Sequence, residues 1–225
     1  MEWLAERIRR SELLNCLSLE AVERYILPQG HLQEYQKGQF LIAQQQKVNR
    51  LGLILSGRVH IVHLFADGSD SLMTVLTPGD FAGVDLVCTR TQLSPYFAMA
   101  ASPVQVFYLP LSCLDVLPDM QARLALQRQL LTLISNENMK KEYRIAILSQ
   151  RGLRERILAY LTMQATRLRR TTFAISFSRE EMASYLCVNR SALSHELSRM
   201  EQEGLIRFRK NVFTLTAPEL TEFLP

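Results

Sequence analysis

The sequence has few cysteines, and they lie far apart. Its 225 residues include four, at positions 16, 88, 113 and 187, and no two of them form a C-x-x-C pair. A zinc ribbon or a disulfide framework needs paired or closely spaced cysteines, so the sequence predicts neither. We interpret each thiol as a small buried hydrophobic group. Cys187 could also be redox-sensitive, because its oxidation would disturb a predicted turn between two helices.

Long apolar runs and enzyme signatures are also missing. No apolar segment approaches the roughly 20 residues that span a bilayer. The N-terminal stretch MEWLAERIRRSELL is amphipathic and charged, without the apolar centre of a signal peptide, so we expect a cytoplasmic protein. No G-x-G-x-x-G, Walker, G-x-S-x-G or H-E-x-x-H pattern occurs, and we therefore expect that the protein is not an enzyme.

The composition is typical of a globular chain whose positive charge is localised. Apolar residues make up 48% and charged residues 21% of the sequence, which argues against a disordered protein. Residues 1–149 contain 14 Lys and Arg against 14 Asp and Glu, whereas residues 150–225 contain 12 against 8. The net charge of +4 therefore lies in the last third, where a local excess of cations favours DNA binding.

The last third contains the most informative pattern, two short helices joined by a tight turn. Ser178 and Glu181 form a capping box that opens the first helix, and residues 187–188 form the turn. Asn189 then caps a second helix. The apolar residues of that helix recur at helical intervals: Leu193, Leu197 and Met200.

The opposite face of the second helix carries hydrogen-bonding side chains and no acidic ones. They are Arg190, Ser191, Ser194, His195, Ser198 and Arg199. Such side chains suit the major groove, where base edges and phosphates need donors. Two predicted strands follow, joined by a basic turn at Arg209 and Lys210. The pattern predicts a winged helix-turn-helix that binds DNA; the alternative is a pair of amphipathic helices with a solvated polar face. Three arginines of the preceding helix either contact phosphates or are merely solvated: Arg167, Arg169 and Arg170.

Residues 31–110 alternate short strand-like runs with turns, after a helical stretch over residues 1–27. Ser18 caps a second piece of that stretch, and residues 28–30 (PQG) end it. A hairpin turn is predicted at Asp67-Gly68. The predicted strands cover residues 40–43, 51–55, 58–65, 72–76 and 104–109. This spacing predicts an antiparallel barrel or sandwich.

A long helix is predicted from residue 119 to about residue 150, because apolar residues recur at helical spacing and neither Pro nor Gly interrupts it. It is far longer than an average helix, so we expect a second copy of the chain to cover it; packing within one chain is the alternative. Gly152 breaks the pattern. We therefore predict three segments: N-terminal helices and a β-barrel domain at 1–118, a dimerisation helix at 119–150, and the DNA-binding domain at 151–225.

This order of elements resembles the CRP/FNR family of bacterial transcription regulators over essentially the full length. The matching motifs are residues 34–39 (EYQKGQ), 53–59 (LILSGRV), 78–83 (PGDFAG) and 148–158 (LSQRGLRERIL). The last of them is closer to the FNR branch. The resemblance implies an α+β fold with an N-terminal antiparallel β-roll or barrel (a double-stranded β-helix, jelly-roll-like), a long dimerisation helix and a C-terminal winged helix-turn-helix.

The resemblance also implies a homodimer whose β-barrel binds a small-molecule effector. In the cyclic-AMP-binding members, an acidic residue and an Arg-Ser pair hold the nucleotide. Here residues 81–86 lack the Glu after the glycine, and residues 94–95 are Ser-Pro instead of Arg-Ser. A buried phosphate would lose a bidentate contact of about 1.5–3 kcal/mol. We therefore expect an effector other than cyclic AMP, apolar or weakly polar, or no effector at all. The expected pocket residues are Leu72, Phe81, Gly83, Val84, Tyr96 and Leu130.

Metal cofactors are not expected. The iron–sulfur sensors of the family carry an N-terminal cysteine cluster, whereas only Cys16 lies in that region here. A haem ligand among four other residues stays an alternative: His31, His60, His63 and Cys88. His60 and His63 should point to opposite faces of one strand, which argues against joint chelation, and we interpret the histidines as surface or half-buried residues.

The second helix of the predicted helix-turn-helix, which we call the recognition helix, departs from the family pattern in part. Arg190 matches the arginine with which the cyclic-AMP-binding members read guanine, and Ser194 matches a serine of the FNR branch. Ser191 and His195 replace a glutamate and an arginine, so the DNA site should differ from the well-known ones. The expected partners are double-stranded DNA with an inverted repeat, a second copy of the chain and RNA polymerase. A family member that binds DNA without an effector is one alternative; a ligand-binding module with no DNA role is another, against which the basic wing argues.

Overall fold

The computed structural model describes residues 2–65, 68 and 70–217, except for the side chain of Glu2. Contacts divide the chain into two compact units, the first ending at Lys140 and the second beginning at Lys141. The division falls inside the long helix, earlier than the boundary that Gly152 predicts. Arg144, which follows this division, has a buried side chain that donates to the backbone oxygen of Tyr185 in the second unit.

The N-terminal helical stretch is segmented. It comprises α1 (Glu2–Arg9), α2 (Leu19–Ala21), a π turn at Val22–Ile26 and a 3-10 turn at Leu27–Gln29. The predicted cap is confirmed, since the Ser18 hydroxyl accepts from the backbone N–H of Ala21. The break after α1 coincides with Ser11, whose buried hydroxyl donates to the carbonyl of Ile8 at 2.7 Å and so competes with continued helix.

Eight strands form the body of the first unit. They are β1 (His31–Tyr35), β2 (Phe40–Ile42), β3 (Arg50–Ser56), β4 (Val59–Leu64), β5 (Asp70–Leu76), β6 (Phe81–Ala82), β7 (Phe97–Ala100) and β8 (Val104–Pro110). They pair antiparallel in two four-stranded sheets, in the orders β1-β8-β3-β6 and β2-β7-β4-β5. The predicted antiparallel roll is confirmed, whereas a closed barrel is not formed. The reason is that each sheet keeps two edge strands instead of pairing with the other.

Three of these strands were not predicted. The strand β1 has four exposed residues out of five, so it lacks an alternating apolar pattern. The strands β6 and β7 have only two and four residues, which is too short for a periodicity to be recognised. Of the predicted Asp67-Gly68 turn, Asp67 lies outside the described residues, while Gly68 has a φ of +81°.

Gly57 connects β3 to β4 at a point where no side chain fits. Its φ is +85°, in the left-handed region that glycine tolerates. A Cβ atom there would lie 2.1 Å from the carbonyl oxygen of Pro103. The turn between the two sheets therefore requires glycine for its backbone conformation and also for the space beside it.

The long helix α3 (Met120–Leu148) follows a 3-10 turn at Leu111–Leu114. Asp119 caps it, because its carboxylate accepts from the backbone N–H groups of Gln121 and Ala122. On the side that faces the roll, buried apolar residues follow helical spacing: Leu126, Leu130 and Leu133. The predicted helix is confirmed to within two residues at each end.

The second unit combines helices with a small three-stranded sheet. Its elements are α4 (Leu153–Leu168), β9 (Thr172–Ala174), α5 (Arg179–Tyr185), α6 (Arg190–Gln202), β10 (Ile206–Arg209) and β11 (Val212–Leu215). The two wing strands pair as predicted, and β9 adds an unpredicted third strand in the order β10-β11-β9. Helix, turn, helix and wing therefore form as the sequence indicates.

Candidate nucleic-acid interface

Side-chain caps fix where the two helices of the helix-turn-helix begin. The Ser178 hydroxyl accepts from the Glu181 backbone N–H at 3.1 Å, and the Glu181 carboxylate accepts from the Ser178 N–H at 2.6 Å. This is the predicted capping box. Asn189 caps α6 through Oδ1, which accepts from the Ala192 N–H at 2.7 Å and from the Ser191 hydroxyl at 2.8 Å. Both caps place the N-terminus of α6 directly after the turn.

The turn between α5 and α6 contains a residue in the left-handed conformation. Cys187 has a φ of +57° and is exposed. The guanidinium of Arg144 lies beneath this turn, 5.3 Å from the Tyr185 ring centroid, and its Nη2 donates to the Cys187 sulfur at 3.8 Å. The expectation that every cysteine is buried is wrong, since only Cys113 is buried among the four. Burial raises the pKa of the Cys113 thiol to about 12.

The helix α6 separates its apolar and polar faces as predicted. Leu193, Leu197 and Met200 are fully buried, and the helix packs against α4 and α5. All six residues of the predicted polar stripe are exposed: Arg190, Ser191, Ser194, His195, Ser198 and Arg199. Two of the hydroxyls donate hydrogen bonds to neighbouring residues. Ser198 donates to the backbone carbonyl of Ser194, and Ser191 donates to the side chain of Asn189. The outward face therefore presents two guanidinium groups, an imidazole and short hydroxyls.

A charged bridge that the sequence did not predict joins α4 to α6. Arg154 of α4 donates through Nε to Glu196 at 2.6 Å and through Nη1 and Nη2 to both carboxylate oxygens of Glu203, at 2.5 and 2.9 Å. The same two carboxylates face Arg199 at 3.5 and 3.8 Å. Hydrogen bonds from Arg154 lower the pKa of Glu203 below its usual value. The sequence signal was weak, because 42 residues separate Arg154 from Glu196.

The basic wing is held in place by Arg179, another residue that the sequence did not single out. Its guanidinium lies 5.1 and 5.4 Å from the ring centroids of Phe208 and Phe213. Its Nη2 donates to the backbone oxygen of Lys210 at 2.9 Å, where Lys210 has a φ of +54°. Burial, followed by the neighbouring charge of Arg190, lowers the pKa of Arg179. The predicted wing cations Arg209 and Lys210 are both exposed.

The three arginines at the end of α4 are exposed as well: Arg167, Arg169 and Arg170. Arg169 ends the helix in the left-handed conformation, with a φ of +52°, and its backbone N–H donates to Thr166 at 3.2 Å. Exposure is compatible with both interpretations of these residues, phosphate contact and simple solvation.

The predicted effector residues are all buried in the first unit. Leu72 lies in β5, Phe81 in β6, Gly83 and Val84 directly after it, Tyr96 before β7 and Leu130 in α3. Four of the six belong to one apolar core: Phe81, Val84, Tyr96 and Leu130. The structure therefore brings most of the set together around the core of the roll.

Tyr96 forms the most distinctive polar contact in that region. Its hydroxyl donates to the Asp85 carboxylate at 2.7 Å, and the ring of His63 packs edge-on against it at 6.3 Å. Burial, followed by the Asp85 charge, raises the pKa of Tyr96. Tyr96 is one of the expected pocket residues, whereas its pairing with Asp85 follows only from the fold.

The described residues were compared with the requirements of a metal site and of a membrane-spanning helix. Within residues 2–65, 68 and 70–217, the structure places no group of three or more His, Cys, Asp or Glu side chains where they could hold a metal ion. In the same part of the chain, no helix is both long and apolar enough to cross a membrane.

Two family models match the chain, one for each unit. The model of the cyclic nucleotide-binding domain matches residues 32–118, and that of the Crp-like helix-turn-helix domain matches residues 155–223. The two matches cover the sheets of the first unit and the DNA-binding elements of the second.

Related proteins match across the same region. The chain is 25% identical over 186 residues to the anaerobic regulatory protein of Pasteurella multocida, covering 80% of this chain and 66% of that protein. It is 27% identical to the transcriptional activator protein anr of Pseudomonas aeruginosa, covering 82% and 76%. A solved structure of a CooA mutant from Carboxydothermus hydrogenoformans shares the fold, with a TM-score of 0.69, 19% identity and 92% and 95% coverage.

Proposed function

The chain belongs to the CRP/FNR family of DNA-binding transcription regulators, and on that premise we propose that it acts as a homodimer that reads an inverted repeat through α6. The polar stripe of α6 carries this proposal. An exposed row of guanidinium, imidazole and hydroxyl groups, on a helix whose opposite side is fully buried, is suited to base edges and phosphates in the major groove. Two such helices related by a two-fold axis would enter successive grooves about 34 Å apart.

The contacts of individual residues follow from their chemistry. Arg190 lies in the first turn of α6, where its planar fork can meet O6 and N7 of a guanine. Ser191, Ser194 and His195 extend the same face. Arg199, Arg209 and Lys210 bind phosphates, which fix the position of the helix without reading sequence.

The exposed side of α3 supports the homodimer. Leu124, Leu131 and Ile145 are 43%, 64% and 58% exposed, and with Asn138 they recur every seven residues. A seven-residue apolar repeat is the spacing of a two-helix seam. A single polar residue within such a seam favours one alignment of the helices, and Asn138 has that position.

The effector is a small molecule other than cyclic AMP that binds in the β-roll. Ser94, which stands at the position of the family's arginine, is fully buried, and its hydroxyl donates to the carbonyl of Tyr96 at 2.8 Å. An anionic phosphate would find no guanidinium there. The Tyr96–Asp85 hydrogen bond favours a second candidate, a regulator that binds DNA without any effector, because the polar groups of this region already satisfy each other.

Other partners follow from the same proposal. A DNA-binding regulator acts where the chromosome is, so we place the protein in the cytoplasm, with RNA polymerase as a partner. We propose no iron–sulfur cluster, because Cys16 is the only cysteine in the N-terminal region and such a cluster needs four ligands.

The test is a selection from a random DNA library by the purified protein, followed by binding measurements on the best site. An inverted repeat with half-sites one helical turn apart is expected. Arg190→Ala should weaken that site by about 1–3 kcal/mol, or about 5- to 150-fold, and relax the choice of one base. Lys210→Ala is the matched control, because loss of a phosphate contact weakens all sequences alike. Equal affinity of Arg190→Ala and wild type for the selected site would refute this role.

The homodimer has its own test. Leu131→Glu places a charge in the proposed seam and should yield monomers in analytical ultracentrifugation, with loss of affinity for the inverted repeat. Thr132→Glu is the control, because it adds the same charge one residue away from the seven-residue row. A dimer that survives Leu131→Glu would rule out this face as the interface.

A further inference from the structure

Arg154 holds two carboxylates at once, that of Glu196 in α6 and that of Glu203 directly after it. It donates to Glu196 at 2.6 Å and to both oxygens of Glu203 at 2.5 and 2.9 Å. The side chains of Arg154 and Glu196 are 27% and 14% exposed, so this contact is partly shielded from water. A forked guanidinium with three donated bonds is the strong form of an ion pair.

The same carboxylates are within reach of a cation that is proposed to bind DNA. Arg199 lies 3.5 Å from Glu196 and 3.8 Å from Glu203, and it is 53% exposed. Both distances are longer than every bond that Arg154 makes to these groups. Because Arg199 lies three residues after Glu196 and four before Glu203, the C-cap of the same helix, either carboxylate can bind it.

Arg154 and Arg199 therefore compete for the carboxylates of Glu196 and Glu203. Arg154 takes one oxygen of Glu196 and both of Glu203, and it neutralises much of their charge. Arg199 makes only the longer contacts, and its side chain is 53% exposed. In the absence of Arg154, no other guanidinium would share the two carboxylates with Arg199. Arg199 would then pair with them at hydrogen-bond distance, and this ion pair would compete with the binding of Arg199 to a phosphate.

We propose that Arg154 is a positioning residue for DNA binding, which occupies Glu196 and Glu203 so that Arg199 remains available for a backbone phosphate. This rests on the proposed function, because it presumes that α6 meets DNA. Arg154 itself lies in α4 and makes no DNA contact in this scheme. It affects DNA binding because it pairs with the carboxylates that would otherwise pair with Arg199.

The salt dependence of DNA binding separates this role from simple support of the helix. Each phosphate neutralised by a cation contributes about 0.9 to the slope of log K against log salt concentration. Arg154→Gln should lower the slope by about 0.9 per protomer. When the salt is diluted fourfold, the affinity of wild type for DNA should therefore rise about 3.5-fold more, per protomer, than the affinity of Arg154→Gln. Arg151→Gln, which removes an exposed cation three residues earlier, is the matched control and should keep the slope.

A double-mutant cycle makes the test specific. In wild type, Arg199→Gln should lower the slope by the same amount, whereas in the Arg154→Gln background it should change nothing further, because Arg199 has already left the phosphate. A weaker affinity with an unchanged slope in Arg154→Gln would overturn the proposal, since that result describes a helix that is merely loosened. Additive slope losses in the double variant would overturn it too.

Folding and DNA binding are controlled separately. If Arg154→Gln fails to fold, Arg154→Lys keeps the charge but lacks the fork; it should lower the slope by a measurable part of 0.9, and a wild-type slope would overturn the proposal. If Arg199→Gln leaves the wild-type slope unchanged, Arg199 does not bind a phosphate and this inference fails, while the proposed function stands. Wild-type protein that binds no DNA at any salt concentration would instead refute the proposed function itself.

Discussion

The two units differ in what their most informative polar side chains contact. In the first unit, polar groups close on each other, as when Tyr96 donates to Asp85 or the Tyr35 and Tyr108 hydroxyls meet at 2.8 Å. In the second unit, the polar row of α6 faces outward. Such a row lies outside the apolar core and offers donors that suit the base edges and phosphates of DNA. A closed pair stabilises the fold by itself and leaves fewer polar groups available for a ligand.

The two units also differ in which residues have a positive φ. Among the described residues of the first unit, five glycines but only two other residues have positive φ; the glycines are Gly38, Gly57, Gly68, Gly79 and Gly83. In the described part of the second unit, Gly204 is accompanied by three residues that carry side chains: Arg169, Cys187 and Lys210. Left-handed conformation costs such residues about 1–2 kcal/mol each. The second unit therefore accepts strain at turns next to its proposed DNA-binding surface.

The largest expected effect tests whether the two units unfold separately. Phe213 is fully buried in the wing, and Phe213→Ala should lower the free energy of unfolding of the second unit by about 3–5 kcal/mol. Hydrogen exchange should report faster opening in residues 141–217 and no change in the roll. Val212→Ala is the control, because that side chain is 40% exposed. Equal destabilisation of the roll would contradict the separation.

A smaller effect tests the closed polar pairs of the roll. Tyr96→Phe removes a hydrogen bond to a carboxylate and should cost about 1.5–3 kcal/mol of stability in denaturant unfolding. Tyr35→Phe removes a bond between two neutral hydroxyls and should cost only about 0.5–1.5 kcal/mol. DNA affinity without added ligand should stay unchanged in both variants. A change in DNA affinity for Tyr96→Phe alone would mean that this pair is part of the switch.

A change of opposite sign is expected in the turn of the second unit. Cys187→Gly should raise the free energy of unfolding by about 1 kcal/mol, because glycine adopts the φ of +57° without strain. Cys88→Gly should lower it, since Cys88 is exposed but does not have a positive φ and gains only chain entropy in the unfolded state. Thermal unfolding of both variants checks the sign, and destabilisation by Cys187→Gly would contradict the strain.

The smallest effect concerns pH. Arg154 lowers the pKa of Glu203 below 4.5, so the stabilisation from this pair is complete above pH 4.5 and is lost as the pH falls through the lower pKa of the folded protein. The difference in melting temperature between wild type and Glu203→Gln should therefore be constant near neutral pH and shrink below about 4.5. A difference that grows on acidification would contradict the assignment.

The sequence predicted the second unit in more detail than the first, for physical reasons. Caps and helix faces are local, and Ser178, Glu181 and Asn189 perform the roles that their positions indicate. The exposure of the α6 stripe follows from helical periodicity. Contacts across the fold were missed, because neither the Arg154 bridge nor the stacking of Arg179 on Phe208 leaves a signal in nearby residues.

In the first unit, the sequence predicted the class of fold but only part of its strands. Strands with alternating or continuous apolar residues were found, whereas β1 was missed because its residues are mostly exposed. The expected pocket residues are buried together, yet burial is also what a core requires. The effector is therefore less predictable than the DNA-binding face: a pocket depends on space that several strands enclose together.

Gly57 sets a limit on how this chain can diverge. Two relatives are identical at only about a quarter of the aligned positions, so most positions tolerate replacement during evolution. At Gly57, a single methyl group would collide with the Pro103 carbonyl at 2.1 Å, and no repacking of side chains relieves a clash with the backbone. Any lineage that loses this glycine must therefore also rebuild the opposite loop, so the two segments are expected to change together or not at all.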